Sequence, residues 1–159
     1  MKILLLSDSH GNLRGVMSAV SKYGRNADLV VHCGDAVRGE ADWLVENVPV
    51  AQVICVNGNC DFMHRFNDIE TIELCGKKIM ITHGHLFGVK YGREHLARKC
   101  QEDGVDLVFY GHTHIQADET INGVRMINPG SCSTYSPVCA VVELDENGSM
   151  LVNFLRVPK

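Results

Sequence analysis

Residues 106–114 read DLVFYGHTH, an apolar run set directly against two histidines that flank one threonine. The same juxtaposition recurs along the chain. SDSH (7–10) follows Ile3 to Leu6, HCGD (32–35) follows Leu29 to Val31, NGNCD (57–61) follows Val53 to Val56, and THGH (82–85) follows Ile79 to Ile81. Asp and His supply anionic oxygen and imidazole nitrogen, which suit manganese, iron, nickel or zinc better than calcium or magnesium and need no cysteine. The residue types divide sensibly between two divalent cations. Asp35 is the natural bridge, because a carboxylate has two oxygens and can hold two ions about 3.5–4 Å apart, the spacing of two-metal hydrolytic sites.

Each cluster alone has an ordinary explanation. Asp8 can cap a turn, Asp35 can belong to a Gly-Asp turn, and Asn59 can sit in a left-handed turn. His83 and His112 can be partly buried histidines satisfied by the backbone. What argues against five ordinary explanations together is position. Each cluster begins where an apolar run ends, and in α/β sheets ligands bind outside the carboxyl ends of the strands.

The elements that must position these residues follow from periodicity. The five runs are short and β-branched enough to be buried strands. Leu13, Val16, Met17 and Val20 have helical spacing, with Asn12 as N-cap and Gly24 as stop, and Ala41, Leu44, Val45 and Val48 repeat it. A third helix is expected from about Tyr91 to Asp103, with Leu96, Ala97 and Cys100 inward and Gly104 as stop. Thr71 to Leu74 and Lys78 to Ile81 flank CGK as a hairpin, and INGV (121–124) and DENGS (145–149) signal two more. The expectation is one α/β (α+β) domain over residues 1–159, with two packed mixed β-sheets flanked by helices.

Composition limits the function. The 159 residues are 45% hydrophobic and 21% charged, with a net charge of -4; this suits a soluble domain and argues against binding long nucleic acids, which requires clustered Lys and Arg. Ile3 to Leu6 is too short for a signal-peptide core, and nothing approaches a membrane span. The seven cysteines are odd in number and irregularly spaced, which reads as reduced thiols in a cytoplasmic protein.

Taken in order, DSH (8–10), GD (34–35), GNCD (58–61), His83 and GHTH (111–114) resemble the calcineurin-like metallophosphoesterase superfamily, and the short chain with NPGS at 128–131 is most similar to its small YfcE-type phosphodiesterases. The resemblance implies that Asp8, His10, Asp35 and His114 hold one metal and Asp35, Asn59, His83 and His112 the other. Manganese is the leading expectation, with nickel, iron or zinc as alternatives. His112 and His114, two apart in an extended segment, would face the same way and reach neighbouring ions, and Gly111 would let substrate approach.

Two such cations carry +4, and Asp8 and Asp35 remove two, so an acidic chain would contain a cationic socket. There the ions would bring a bound water toward neutral pKa, and the resulting hydroxide would attack phosphorus in line. The expected reaction is hydrolysis of small phosphodiesters without a covalent intermediate. Cys60 departs from the histidine many superfamily members carry as a phosphate contact and proton donor; a thiol is a less obvious donor, so activated aryl diesters should be preferred. His85 is a candidate substitute donor, and Asp61 reads as a residue that orients a neighbouring ligand. Asn128 or Ser131 could contact phosphate, as could Arg65, whereas His32, His64 and His95 read as structural or surface residues. Alternatives are a non-catalytic scaffold resembling the retromer's phosphoesterase-like subunit, and a phosphomonoesterase. A homodimer is compatible with the resemblance.

Overall fold

Ile3 and Leu5 face one core and Leu4 and Leu6 another. A strand whose alternate residues are apolar on both faces must be covered on both. The computed structural model describes residues 1–48 and 52–158. In it β1 (Lys2–Leu6) is the central strand of a five-stranded sheet, with β2 (Leu29–His32) and β3 (Gln52–Cys55) parallel on one side and β9 (Val138–Leu144) and β10 (Met150–Arg156) antiparallel on the other. The second sheet has the order β4 (Ile69–Leu74), β5 (Lys77–Thr82), β6 (Leu107–Phe109), β8 (Val124–Pro129), β7 (Gln116–Ile121), with β5, β6 and β8 parallel.

The sheets pack face to face through Ile3, Leu5, Val31, Ile79, Ile81, Phe109 and Ile127. Helices α1 (Leu13–Ala19) and α2 (Glu40–Asn47) cover the outer face of the first sheet, and α3 (Glu94–Glu102) covers the second with Leu96, Ala97 and Cys100. The expected mixed double sheet with flanking helices is the observed architecture, and all three hairpins occur at the turn sequences that signalled them.

The helices depart from expectation in detail. Asn12 caps α1 by accepting from the Gly15 N–H at 3.1 Å, but the α-helix stops at Ala19 and a π-helical turn, Val20–Gly24, completes the run to Gly24. Met17 is 42% and Val45 49% exposed, so one side of each inferred apolar stripe faces outward. Helix α3 begins at Glu94, because Tyr91 is held in a turn by its N–H bond to the Gly88 carbonyl.

Register decides where the strands deliver their ends. Leu6 pairs with His32 and His32 with Cys55, while Ile81 pairs with Phe109 and Phe109 with Ile127. The loops following five parallel strands therefore leave one edge of the sandwich. Phe109→Ala should destabilise the protein by about 3–5 kcal/mol, whereas Met17→Ala should cost under about 1 kcal/mol; urea unfolding of both variants checks this division between inter-sheet core and exposed helix face.

Candidate metal centre

The parallel ladder between β1 and β2 runs on past the strands. The N–H of Cys33 bonds the Leu6 carbonyl (2.8 Å), that of Asp8 the Gly34 carbonyl (3.0 Å), and that of His10 the Asp35 carbonyl (3.0 Å). These bonds lock SDSH against HCGD. Within them the backbone is left-handed at Asp8 (φ 52°), His10 (47°) and Asp35 (60°), and the other sheet repeats the device at His112 (67°) and His114 (61°). Such conformations cost about 1–3 kcal/mol each in residues with a Cβ and cluster where geometry serves function.

The Asp8 carboxylate is fully buried. Its Oδ2 accepts from the Ser7 hydroxyl (2.6 Å) and from the His112 N–H (3.0 Å), so it ties the two sheets together. Its Oδ1 is buried without a hydrogen-bond partner; the Nε2 atoms of His114, His10 and His83 face it at 3.1, 3.9 and 3.9 Å. Asp35 is arranged likewise. Its Oδ1 accepts from the Cys60 N–H (2.8 Å), which leaves Oδ2 towards His83 (3.5 Å) and His10 (3.7 Å).

The imidazoles converge in two pairs. His10 Nε2 lies 3.2 Å from His114 Nε2, and His83 Nε2 lies 3.1 Å from both His112 Nδ1 and Asn59 Oδ1. His83 Nδ1 donates to the Cys33 carbonyl at 2.7 Å, which fixes the tautomer and turns the Nε2 lone pair into the site. An orphaned carboxylate oxygen among converging lone pairs is a donor set suited to cations. Asp8, His10 and His114 can share an ion, as can Asp8, Asp35 and His83. Asp8 and His83 form the buried floor, and Asn59 and His114 stand at the exposed rim.

Electrostatics follow the same division. Burial opposes ionisation of Asp8, but His114, His83 and Ser7 outweigh it and hold its carboxyl below the usual range. Asp35 is held well below that range, with His83 and the Cys60 N–H overcoming burial. Burial also opposes charge on His83, yet Asp35 and Asp8 raise its pKa; Asp8 raises that of His114. Burial and the neighbouring His83 push His112 down to about 4. Burial, then Asp35, raises the Cys60 thiol and keeps it protonated.

Three sequence expectations change. The GHTH segment is not extended: β6 ends at Phe109, the Thr113 N–H closes on the Gly111 carbonyl (2.8 Å), and two left-handed residues turn His112 to His83 and His114 to His10. Gly111 does not make room for substrate, because a Cβ there would meet the Ser7 hydroxyl and the Asp8 carboxylate. Asn128 and Ser131 do not face a ligand. The Asn128 amide donates to the Gly111 carbonyl (2.8 Å) and Thr113 Oγ1 (3.0 Å), and the Ser131 hydroxyl to the Asp8 carbonyl (2.8 Å), so both brace the site from beneath.

Arg65 is paired with Asp42, His32 is buried, and His64 and His95 are exposed. The His85 ring lies tilted against His83 and edge-on to His112, with ring centroids 5.4 and 6.2 Å away, and burial and His83 lower its pKa. Asp61 Oδ2 accepts from the backbone N–H groups of Asp35 (2.8 Å) and Gly58 (2.7 Å). The supports Ser7 and the Cys33 carbonyl had no signal in the sequence, since they act through contacts distant along the chain.

Two mixed sheets that present Asp, Asn and His from five strand ends define a metallophosphoesterase architecture, and residues 1–147 match the calcineurin-like phosphoesterase superfamily domain. The chain belongs to that superfamily, a family of phosphoester hydrolases. It is 36% identical over 131 residues to the probable metallophosphoesterase YsnB of Bacillus subtilis, covering 82% of this chain and 75% of YsnB. It is 32% identical over 150 residues to the phosphodiesterase MJ0936 of Methanocaldococcus jannaschii, covering 85% and 86% of the two chains. Among solved structures, a predicted phosphoesterase from Streptococcus pneumoniae superposes with a TM-score of 0.80 at 30% identity, covering 98% of this chain and 88% of that one. Vps29 from Entamoeba histolytica shares the fold alone, with a TM-score of 0.77 at 24% identity over 98% and 99% of the chains.

Asp61→Ala strips the acceptor from two backbone N–H groups at once and should cost about 1–3 kcal/mol in denaturant unfolding. Asp61→Asn, which keeps an acceptor oxygen, should recover most of that loss.

Proposed function

We propose that the protein is a dinuclear-metal phosphodiesterase that hydrolyses small phosphodiesters, with manganese as the preferred ion. The observation that carries the reading is the pair of convergent donor sets around the orphaned Asp8 Oδ1, one through His10 and His114, the other through Asn59, His83 and His112. Asp8, His10, Asp35 and His114 hold one ion; Asp35, Asn59, His83 and His112 hold the other. Bound there, the ions supply Lewis acidity, which activates water and stabilises charge developing on phosphoryl oxygens.

The chain's own residues supply orientation and proton control. The Cys33 carbonyl keeps His83 in its ligating tautomer, and Asp61 fixes the backbone that carries Asp35 and Asn59. The Cys60 thiol, protonated at neutral pH, stands beside Asn59 at the open side of the site. His85, neutral because burial lowers its pKa, is the second candidate to donate a proton to a leaving group. Neither is a strong acid at neutral pH. Esters whose leaving groups need little protonation are therefore preferred.

Metal-stripped protein should be inactive towards an activated aryl phosphodiester, recover turnover on manganese addition, and hydrolyse the matching monoester more slowly. No turnover of either ester with any divalent ion would favour a scaffold role, to which the shared fold of Vps29 lends only architectural support. Faster monoester turnover would make the protein a phosphomonoesterase.

Cys60→His, which places a group of pKa near 6.5 on the leaving-group side, should raise kcat/KM for alkyl diesters by about tenfold or more and change that for aryl diesters much less. An unchanged aryl-to-alkyl ratio would remove Cys60 from leaving-group chemistry.

A further inference from the structure

Glu40, the first residue of α2, is completely buried, yet its carboxylate does not face the metal centre. Its Oε1 accepts from the Ser9 hydroxyl (3.0 Å) and the Gly11 N–H (2.5 Å), and its Oε2 from the Arg38 N–H (2.7 Å). Ser9 has one hydroxyl proton, and it goes to Glu40. The contact of Ser9 Oγ with His32 Nε2 at 3.0 Å is therefore a donation by the imidazole, and it leaves His32 Nδ1 as the buried nitrogen without a partner. Donors thus run from His32 at the end of β2 through Ser9 to Glu40. Gly39, with φ 86° and no side chain to cap the helix, lets the chain enter α2 with the Glu40 carboxylate folded back on the loops.

Two of these three donors bracket His10. His10 itself is left-handed, half-buried, and held by its backbone N–H to Asp35 and by side-chain approaches within the site. A residue in that conformation stays there only while its flanks are fixed, and Ser9 and Gly11 are both fixed by one oxygen of Glu40. The donors around Asn59, His83 and His112 receive no bond from Glu40. Their anchors are the Cys33 carbonyl, Asp61 and the Asp8 carboxylate.

We propose that Glu40 is a positioning residue for one of the two metal positions: through Ser9 and Gly11 it holds His10 in its ligating conformation, and so governs ion binding at Asp8, His10 and His114 more than at Asn59, His83 and His112. This rests on the two-metal reading above. Without the carboxylate, the flanks of His10 are free to relax to right-handed backbone and withdraw its imidazole. Arg38 N and Gly11 N would then also lose the acceptor that pins the 8–11 loop to the 35–40 loop.

The test is manganese titration of metal-stripped protein by calorimetry, with bound ions counted after gel filtration, for wild type, Glu40→Gln, and Glu46→Gln as a control at an exposed position on the same helix. Glutamine keeps the shape but turns one acceptor into a donor aimed at a backbone N–H. Glu40→Gln should bind one ion as wild type does and the other at least about tenfold more weakly, the size typical when a group behind a metal ligand is lost. At saturating manganese its KM for an aryl diester should match wild type, and Glu46→Gln should change nothing.

Wild-type affinity for both ions in folded Glu40→Gln overturns the proposal, and so does an equal loss at both positions, which would signify general loosening. If Glu40→Gln does not fold, Ser9→Ala decides: it should weaken the same single ion, and unaltered binding by it overturns the role. Uptake of fewer than two ions by the wild type is visible before any variant is made, and it refutes the two-metal reading and this proposal together.

Discussion

The Asp8 carboxylate ties together two sheets that pack mainly through apolar side chains. One oxygen is committed to Ser7 from its own sheet and to the His112 N–H from the other, while its main-chain N–H and carbonyl bond Gly34 and Ser131. A buried anion without compensating donors would cost several kcal/mol. Here the donors come from both halves of the fold, so the sheets cannot slide along their packing plane without unpairing it. The second oxygen has no backbone or hydroxyl donor and faces imidazoles, with His114 Nε2 at 3.1 Å. The interaction that aligns the sheets therefore also fixes the one direction from which that oxygen can be satisfied.

The same logic explains the concentration of left-handed residues at one edge. In an extended strand end, residues two apart such as Asp8 and His10 or His112 and His114 would point in parallel from one face, instead of each turning to a partner on another loop. Left-handed turns at Asp8, His10, Asp35, His112 and His114 bend the side chains back to a common point. The extended parallel ladder and the braces from Asn128, Ser131 and Asp61 hold that strain in place. Close approach without side chains is part of the arrangement: a Cβ at Gly58 would fall on the Asp35 carboxylate, as one at Gly111 would fall on Asp8.

What could be read from the sequence is what rests on local pattern. Strand ends, hairpin turns and the inward face of α3 follow from alternation, Asn-Gly pairs and helical spacing, and the ligand-type residues stood at the strand ends. Met17 and Val45 share the helical spacing yet are exposed, because a short helix over a sheet buries a narrower stripe than spacing alone suggests. The turn in GHTH has no sequence signal, because a left-handed pair of histidines has no propensity signature. Ser7, Glu40 and the bracing role of Ser131 lack a local signature for a different reason. Their partners lie far away in sequence, and a single Ser or Glu says nothing about which distant N–H or carbonyl it will meet.

The packed cores explain how one architecture can be shared by chains with different demands on this edge. Apolar residues of the three clusters carry the burial, and none of the donor histidines belongs to them. His10 and His114 are partly or largely exposed and contact mainly each other and the carboxylates, so the fold does not depend on them for packing. Asp8 and His83 differ, because each also bonds the opposite loop and their loss would unpair buried groups. The rim imidazoles therefore contribute nothing to core packing. What the rim imidazoles add is electrostatic: His114 Nε2 lies 3.1 Å from Asp8 Oδ1 and helps hold that carboxyl below its usual range, and the same donors suit a cation.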